Sequence, residues 1–145
     1  MNNPFVRTLH TFSRILSAYC EQNWALDGYK EIRIGHLQPL LELSLGDFSN
    51  NQLADKSGMT KQSMNRLVKE LVELGYVKMD KDQKDARVIL LKLSPKGQAF
   101  VQYLELKNQE LDDFLISGIG MGPYQILKEN FQSLLTYMEN QELKI

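Results

Sequence analysis

Apolar residues recur at three- and four-residue intervals in three stretches of this 145-residue chain. Near the start, Phe5, Leu9, Phe12, Leu16 and Tyr19 fall on one stripe of a helix that Asn3 caps, Pro4 begins, and that runs to about Trp24. In the middle, Met64, Leu67, Val68, Leu71 and Leu74 form the apolar face of a second helix, over residues 61 to about 74. Towards the end, Ser94 with Pro95 opens a long helix to about Ile116. Residues 118–123, rich in glycine and closed by Pro123, break it, and Leu127, Phe131, Leu134 and Met138 mark a last helix. Between the middle and the end, two β-rich runs, 76–79 and 88–93, flank the charged segment 80–87, the pattern of a hairpin. The expected fold class is mainly α with a small β-hairpin, an α+β arrangement.

Turn chemistry divides the middle of the chain further. Ser49 precedes Asn50, Asn51 and Gln52, so its hydroxyl accepts from the first free N–H groups of a short helix while Gln52 reaches back to complete a capping box. Gly58 ends that helix after about two turns, Met59 turns towards the core, and Thr60 caps the longer helix that follows. Two short capped helices, a hairpin and a third helix start, all within residues 48–97, are the parts of a DNA reader in their usual order.

The second of those helices carries the candidate chemistry. Its polar face offers Lys61, Gln62, Ser63, Asn65, Arg66 and Lys69, with no acid before Glu70. Donors, acceptors and positive charge at a helix start suit base edges and phosphates in a major groove, and Ser49 and Thr60 stand at the helix starts beside them. Taken alone, the same residues make an ordinary solvated face; the surrounding order of elements favours the DNA reading. In the hairpin, Lys81, Lys84 and Arg87 are interleaved with acids, so the tip projects into water or onto a charged partner. The spacing of Asp85 and Arg87 places carboxylate and guanidinium on one face of an extended segment, aiming the arginine at a minor groove.

Composition fits one compact domain: 43% hydrophobic, 24% charged. A net charge of −1 at first argues against nucleic acid, but charge is segregated. Residues 55–87 hold eight Lys or Arg against six Asp or Glu, whereas residues 100–145 hold three against seven. No apolar run approaches a membrane span and the N-terminus lacks a basic leader, so no membrane partner and a cytoplasmic setting are expected. The single cysteine, Cys20, fits a reducing compartment. His10 and His36, the only histidines, have no Cys or His companion at ligand spacing, so no metal is expected. No phosphate-binding glycine loop or nucleophile elbow is present, and the side chains of Asp112 and Asp113 leave a helix about 100° apart. Neither catalytic residues nor a cofactor are expected.

Leu53-Ala54, Gly58, Thr60, Arg66-Leu67-Val68, Leu71, Leu74-Gly75-Tyr76-Val77, Asp85-x-Arg87 and Leu93-Ser94-Pro95-Lys96-Gly97 together resemble the winged helix-turn-helix of the MarR family of bacterial transcriptional regulators. The family wing often carries proline and more arginine; here Gln83, Lys84 and Ala86 stand in that loop. The resemblance implies dimerisation helices at 1–30 and 95–145 around a DNA-binding region at 31–94. It further implies a homodimer that sets two reading helices on an inverted-repeat operator in double-stranded DNA, and repression as the commoner role. The apolar stripes would pair between subunits; packing on their own chain is the alternative.

The resemblance also points to an effector crevice between the dimerisation helices and the reading head. Phe12, Tyr19, Trp24, Tyr29, Arg33 and His36 are the aromatic and polar residues of that neighbourhood, and a small aromatic or anionic compound would suit an arginine flanked by rings. Plain packing is the competing role for Tyr19 and Trp24. Cys20 raises a redox-sensing alternative, although Glu21 beside it disfavours the thiolate. The alternative from another class is a winged-helix module that binds protein rather than DNA, which the nearly neutral overall charge favours.

Overall fold

The computed structural model describes residues 4–141. In chain order it runs α1 (Pro4–Leu26), a 3-10 turn (Ile34–His36), α2 (Leu37–Leu43), α3 (Asn50–Ser57), α4 (Lys61–Glu73), β1 (Val77–Lys81), β2 (Ile89–Leu93), α5 (Pro95–Ile119) and α6 (Met121–Asn140). The mainly α fold with one hairpin is the fold class expected. Asn3, the expected cap of α1, lies outside the described residues.

Local chemistry sets most boundaries. The Ser49 hydroxyl accepts from the Gln52 N–H at 3.2 Å and the Gln52 side chain accepts from the Ser49 N–H at 2.9 Å, so the capping box is complete. Thr60 caps α4 through the Ser63 N–H at 3.1 Å. Gly58 closes α3 in the left-handed region. β1 and β2 pair antiparallel with Val77 opposite Leu93 and Lys81 opposite Ile89. The first strand therefore runs two residues further than its apolar run, because Asp80 and Lys81 continue the ladder on a solvated face. Phe48 adds a short bridge on the outer side of Leu91, exchanging both backbone bonds at 3.2 and 2.8 Å. The break between the last two helices is narrower than the sequence predicts: Gly120 alone, at φ 91°, forms the corner. Gly122 and Pro123 lie in the first turn of α6, where no intrahelical N–H is required.

One core unites the reader. Ile32, Leu40, Leu53, Met64, Leu71, Tyr76 and Phe100 are fully buried, with Trp24, Val68, Val77, Leu91 and Leu93 around them. Trp24 meets Phe100 edge-on at 5.7 Å, and Tyr29 packs on Phe100 and Tyr103 at 4.8 and 4.9 Å. α5 starts against the Tyr76 carbonyl so closely that only glycine fits at position 97. Ser94 binds this corner together, donating to the Gly75 carbonyl and accepting from the Gly97 N–H at 3.1 Å.

The two arms of the molecule contrast with this core. α1 meets α5 through the Tyr19–Phe114 stack at 4.5 Å, and Asp27, just past the end of α1, accepts from the Tyr103 hydroxyl at 2.6 Å and pairs with Lys107 at 3.3 Å. Leu9 and Phe12 on α1, and Leu127, Phe131, Leu134 and Met138 on α6, remain exposed, Phe131 by 41%. Their own chain covers these residues only in part.

Candidate nucleic-acid interface

The face of α4 opposite the core presents Lys61, Asn65 and Lys69 in one i, i+4 row and Gln62 and Arg66 beside it, all exposed. Lys61, Arg66 and Lys69 form no ion pair among the described residues, so their charges are open to a partner. The expected site residues Ser49, Thr60 and Ser63 stand differently. Ser49 and Thr60 use their oxygens as caps, and the half-buried Ser63 accepts from the Thr60 hydroxyl at 2.9 Å, so the three shape the helix starts. Asn50, which the sequence did not single out, ties the two starts together: its Nδ2 donates to the Lys61 carbonyl at 3.2 Å. Only its place directly after the cap hinted at this.

In the wing, Lys81 ends β1 and Lys84 projects from the tip, both exposed. Arg87 is 91% exposed and its guanidinium donates to both Asp85 oxygens at 3.1 and 3.2 Å. This pairing is the one expected, but the backbone is not extended there. Val88 donates to the Asp85 carbonyl at 3.0 Å, and the Arg87 N–H donates to the Asp85 side chain at 3.1 Å, so the segment is a turn stabilised by the aspartate itself. The Arg87 contact holds the Asp85 carboxyl below its ordinary value. Asp82 acts similarly on the Lys84 N–H at 3.0 Å, and Asp80 pairs with Lys92 at 3.2 Å. The wing's acids therefore shape its backbone and align Arg87, rather than simply cancelling its cations.

The six residues expected near an effector divide. Phe12, Tyr19 and Trp24 line a largely apolar cleft of about 510 Å³ between α1 and α5, which Cys20, Lys107 and Phe131 also border. Tyr29 is packed into the core, and Arg33 spends its guanidinium on the Lys30 and Ile32 carbonyls at 2.7 and 3.3 Å. Arg33 is therefore not the ring-flanked arginine expected. The cation at this cleft is Lys107, held between Asp27 and Glu110, and His36 is buried away from it against Glu70. Burial, and then Glu21, push the Cys20 thiol up, which disfavours its reactive thiolate.

Two antiparallel strands behind a capped helix pair, with a long helix leaving the second strand, define a winged helix-turn-helix. Residues 36–88 match the family model described as MarR family. Solved structures with the same fold include Streptococcus pneumoniae FabT in complex with DNA (TM-score 0.77, 17% identity, 94% of this chain and 96% of that one). A MarR transcriptional regulator from Methanosarcina mazei Go1 (0.75, 20%, 95% and 99%) and a cysteine mutant of Escherichia coli MarR complexed with operator DNA (0.75, 19%, 91% and 94%) are similar as well. No curated protein matches the sequence. The resemblance to the MarR family is thus borne out, in sequence over the reader and in fold over nearly the whole chain. No helix among the described residues is long and apolar enough to cross a membrane.

Proposed function

We propose that this chain is a sequence-specific, double-stranded DNA-binding transcriptional regulator, acting as a homodimer on an inverted-repeat operator and as a ligand-responsive repressor. The observation that carries the reading is the acid-free, unpaired row Lys61, Asn65, Arg66 and Lys69 on the exposed face of α4. Arg87, braced by Asp85, would add a minor-groove contact beside it. DNA is also the partner in the FabT complex and operator DNA in the Escherichia coli MarR complex.

Dimerisation is supported by the exposed apolar rows of α1 and α6, which a second copy would cover. Two-fold symmetry would then set two α4 helices into successive major grooves roughly 34–36 Å apart. An effector would act by binding one spacing of the readers better than another. The cleft beside Phe12, Tyr19 and Trp24 favours an aromatic guest over an anionic one, because Lys107 is already shared by two carboxylates.

Selection of bound fragments from a random duplex library tests the central reading. Recovery of a palindrome with half-sites one helical turn apart is expected. Recovery of no enriched sequence, with salt-independent elution from heparin, would overturn it in favour of a protein-binding module.

A further inference from the structure

His36 is a buried titratable group, 5% exposed, that the DNA-reading face does not use. Both of its ring nitrogens are engaged. Nδ1 accepts from the Arg33 N–H at 3.0 Å, which leaves the ring proton on Nε2, and Nε2 donates to the Glu70 carboxylate at 2.8 Å. Glu70 belongs to α4, directly after Lys69 and one turn beyond Arg66. The apolar stripe of Met64, Val68 and Leu71 decides which side of α4 is buried, but apolar contact is non-directional and tolerates small rotations. A charge-assisted hydrogen bond on the flank of the helix does not.

The segment that carries His36 is itself fixed. The neighbouring Ile34 N–H donates to Glu21 of α1 at 3.0 Å, the 3-10 turn packs against α4, and Ile34 and Leu37 face the cleft. We propose that the His36–Glu70 hydrogen bond sets the roll of α4 about its own axis, making His36 a positioning residue for base recognition by Asn65 and Arg66. This rests on the DNA-binding reading above. Any displacement of Ile34 or Leu37 would be transmitted to α4 through the same bond.

Amide side chains separate the two ring contacts. In His36→Asn the side-chain oxygen stands near the place of Nδ1 and keeps the Arg33 bond, but the side chain is too short for Glu70. In His36→Gln the amide nitrogen reaches near the place of Nε2 and keeps the Glu70 bond. The measurement is affinity for the library-selected duplex divided by affinity for a scrambled duplex, with thermal midpoints alongside. His36→Asn and Glu70→Ala should each lower that ratio about tenfold, the scale of one lost hydrogen bond to a charged group. The double variant should lose no more than either single one, and His36→Gln should stay within about threefold of wild type. A loss of folding would lower both affinities together, whereas a changed roll lowers the selected one. An unchanged ratio in His36→Asn, or in Glu70→Ala where the asparagine variant fails to fold, overturns the proposal while wild-type recognition stands. Wild-type protein that enriches no duplex overturns the DNA-binding reading itself, and the proposal with it.

Discussion

Replacing Lys69 by alanine separates a phosphate contact from a base contact by its dependence on salt. Lys69 lies exposed on α4 without an ion pair, so removing it disturbs no partner within the chain. Each neutralised phosphate contributes about 0.9 to the slope of log affinity against log salt. A two-fold dimer would carry the substitution twice, so the slope should become shallower by about 1.8. Between 50 and 200 mM salt, the affinity deficit of the variant should therefore shrink about twelvefold. Fluorescence anisotropy on the selected duplex across that range measures it. Asn65→Ala should instead leave the slope unchanged and cost about 1–3 kcal/mol at each of two symmetry-related operator positions. Lys128→Ala, on α6 and paired with Asp112, controls for general charge and should leave the slope unchanged. A Lys69→Ala slope equal to that of wild type, or a Lys128→Ala slope shifted as far, would refute the assignment of α4 to the phosphate backbone.

Ser94→Ala removes a helix cap and a bond to the Gly75 carbonyl at a buried corner. It should destabilise the fold by about 2–3 kcal/mol, read as a lower urea midpoint with unchanged slope at fixed protein concentration. Asp85 should titrate below 3.8 by carboxyl NMR and return towards that value in Arg87→Ala. Since its folded pKa is depressed, its stabilising contribution is present above the unfolded value and is lost as pH falls through the folded one. Cys20 should react with iodoacetamide at pH 7.5 more slowly than a free thiol, because burial and Glu21 both disfavour the thiolate. Phe131→Asp on the exposed row of α6 should yield monomers by sedimentation while leaving the circular dichroism of the reader intact, and should weaken binding to a palindromic duplex more than to a half-site.

The reader was legible because its information is local. Ser49 with Gln52, Thr60, Ser94 with Pro95, and Gly58 each specify a boundary within a few residues, and the α4 stripe specifies which face is buried. Those are interactions the chain order itself brings together. The missing pieces were made by separations that periodicity does not encode: Phe48 on Leu91, Asn50 on Lys61, His36 on Glu70. His36 was misplaced for this reason. A histidine near aromatic residues reads as a pocket group in sequence, yet its ring is committed to a helix 34 positions away. The turn at Asp85 escaped because alternation along a strand and an aspartate-stabilised turn place the same two side chains together.

Burial divides the molecule in a way that bears on regulation. Every residue of the main core lies between Trp24 and Leu104, so the reading head is packed by its own chain. Leu9 and Phe12 on one arm and Leu127, Phe131 and Leu134 on the other stay 40–50% exposed, so covering each would be worth roughly half of the ~1.5–3 kcal/mol of full burial. A head that is complete and arms that are not would make the proposed pairing a step separable from folding of the reader. α5 joins them, with Phe100 and Leu104 in the core at its start and Phe114 on Tyr19 further along, and the cleft opens against that same helix. A guest in the cleft therefore lies between the element that would pair and the element that would read. Its leverage is limited to the difference between its affinities for the two spacings, and shifting a 1:99 equilibrium to 99:1 takes about 5.5 kcal/mol of such difference. A largely apolar wall can supply that only if closure around the guest buries substantial area in one spacing alone. An effector that fills the cleft without altering the α1–α5 approach would bind and leave DNA affinity unchanged.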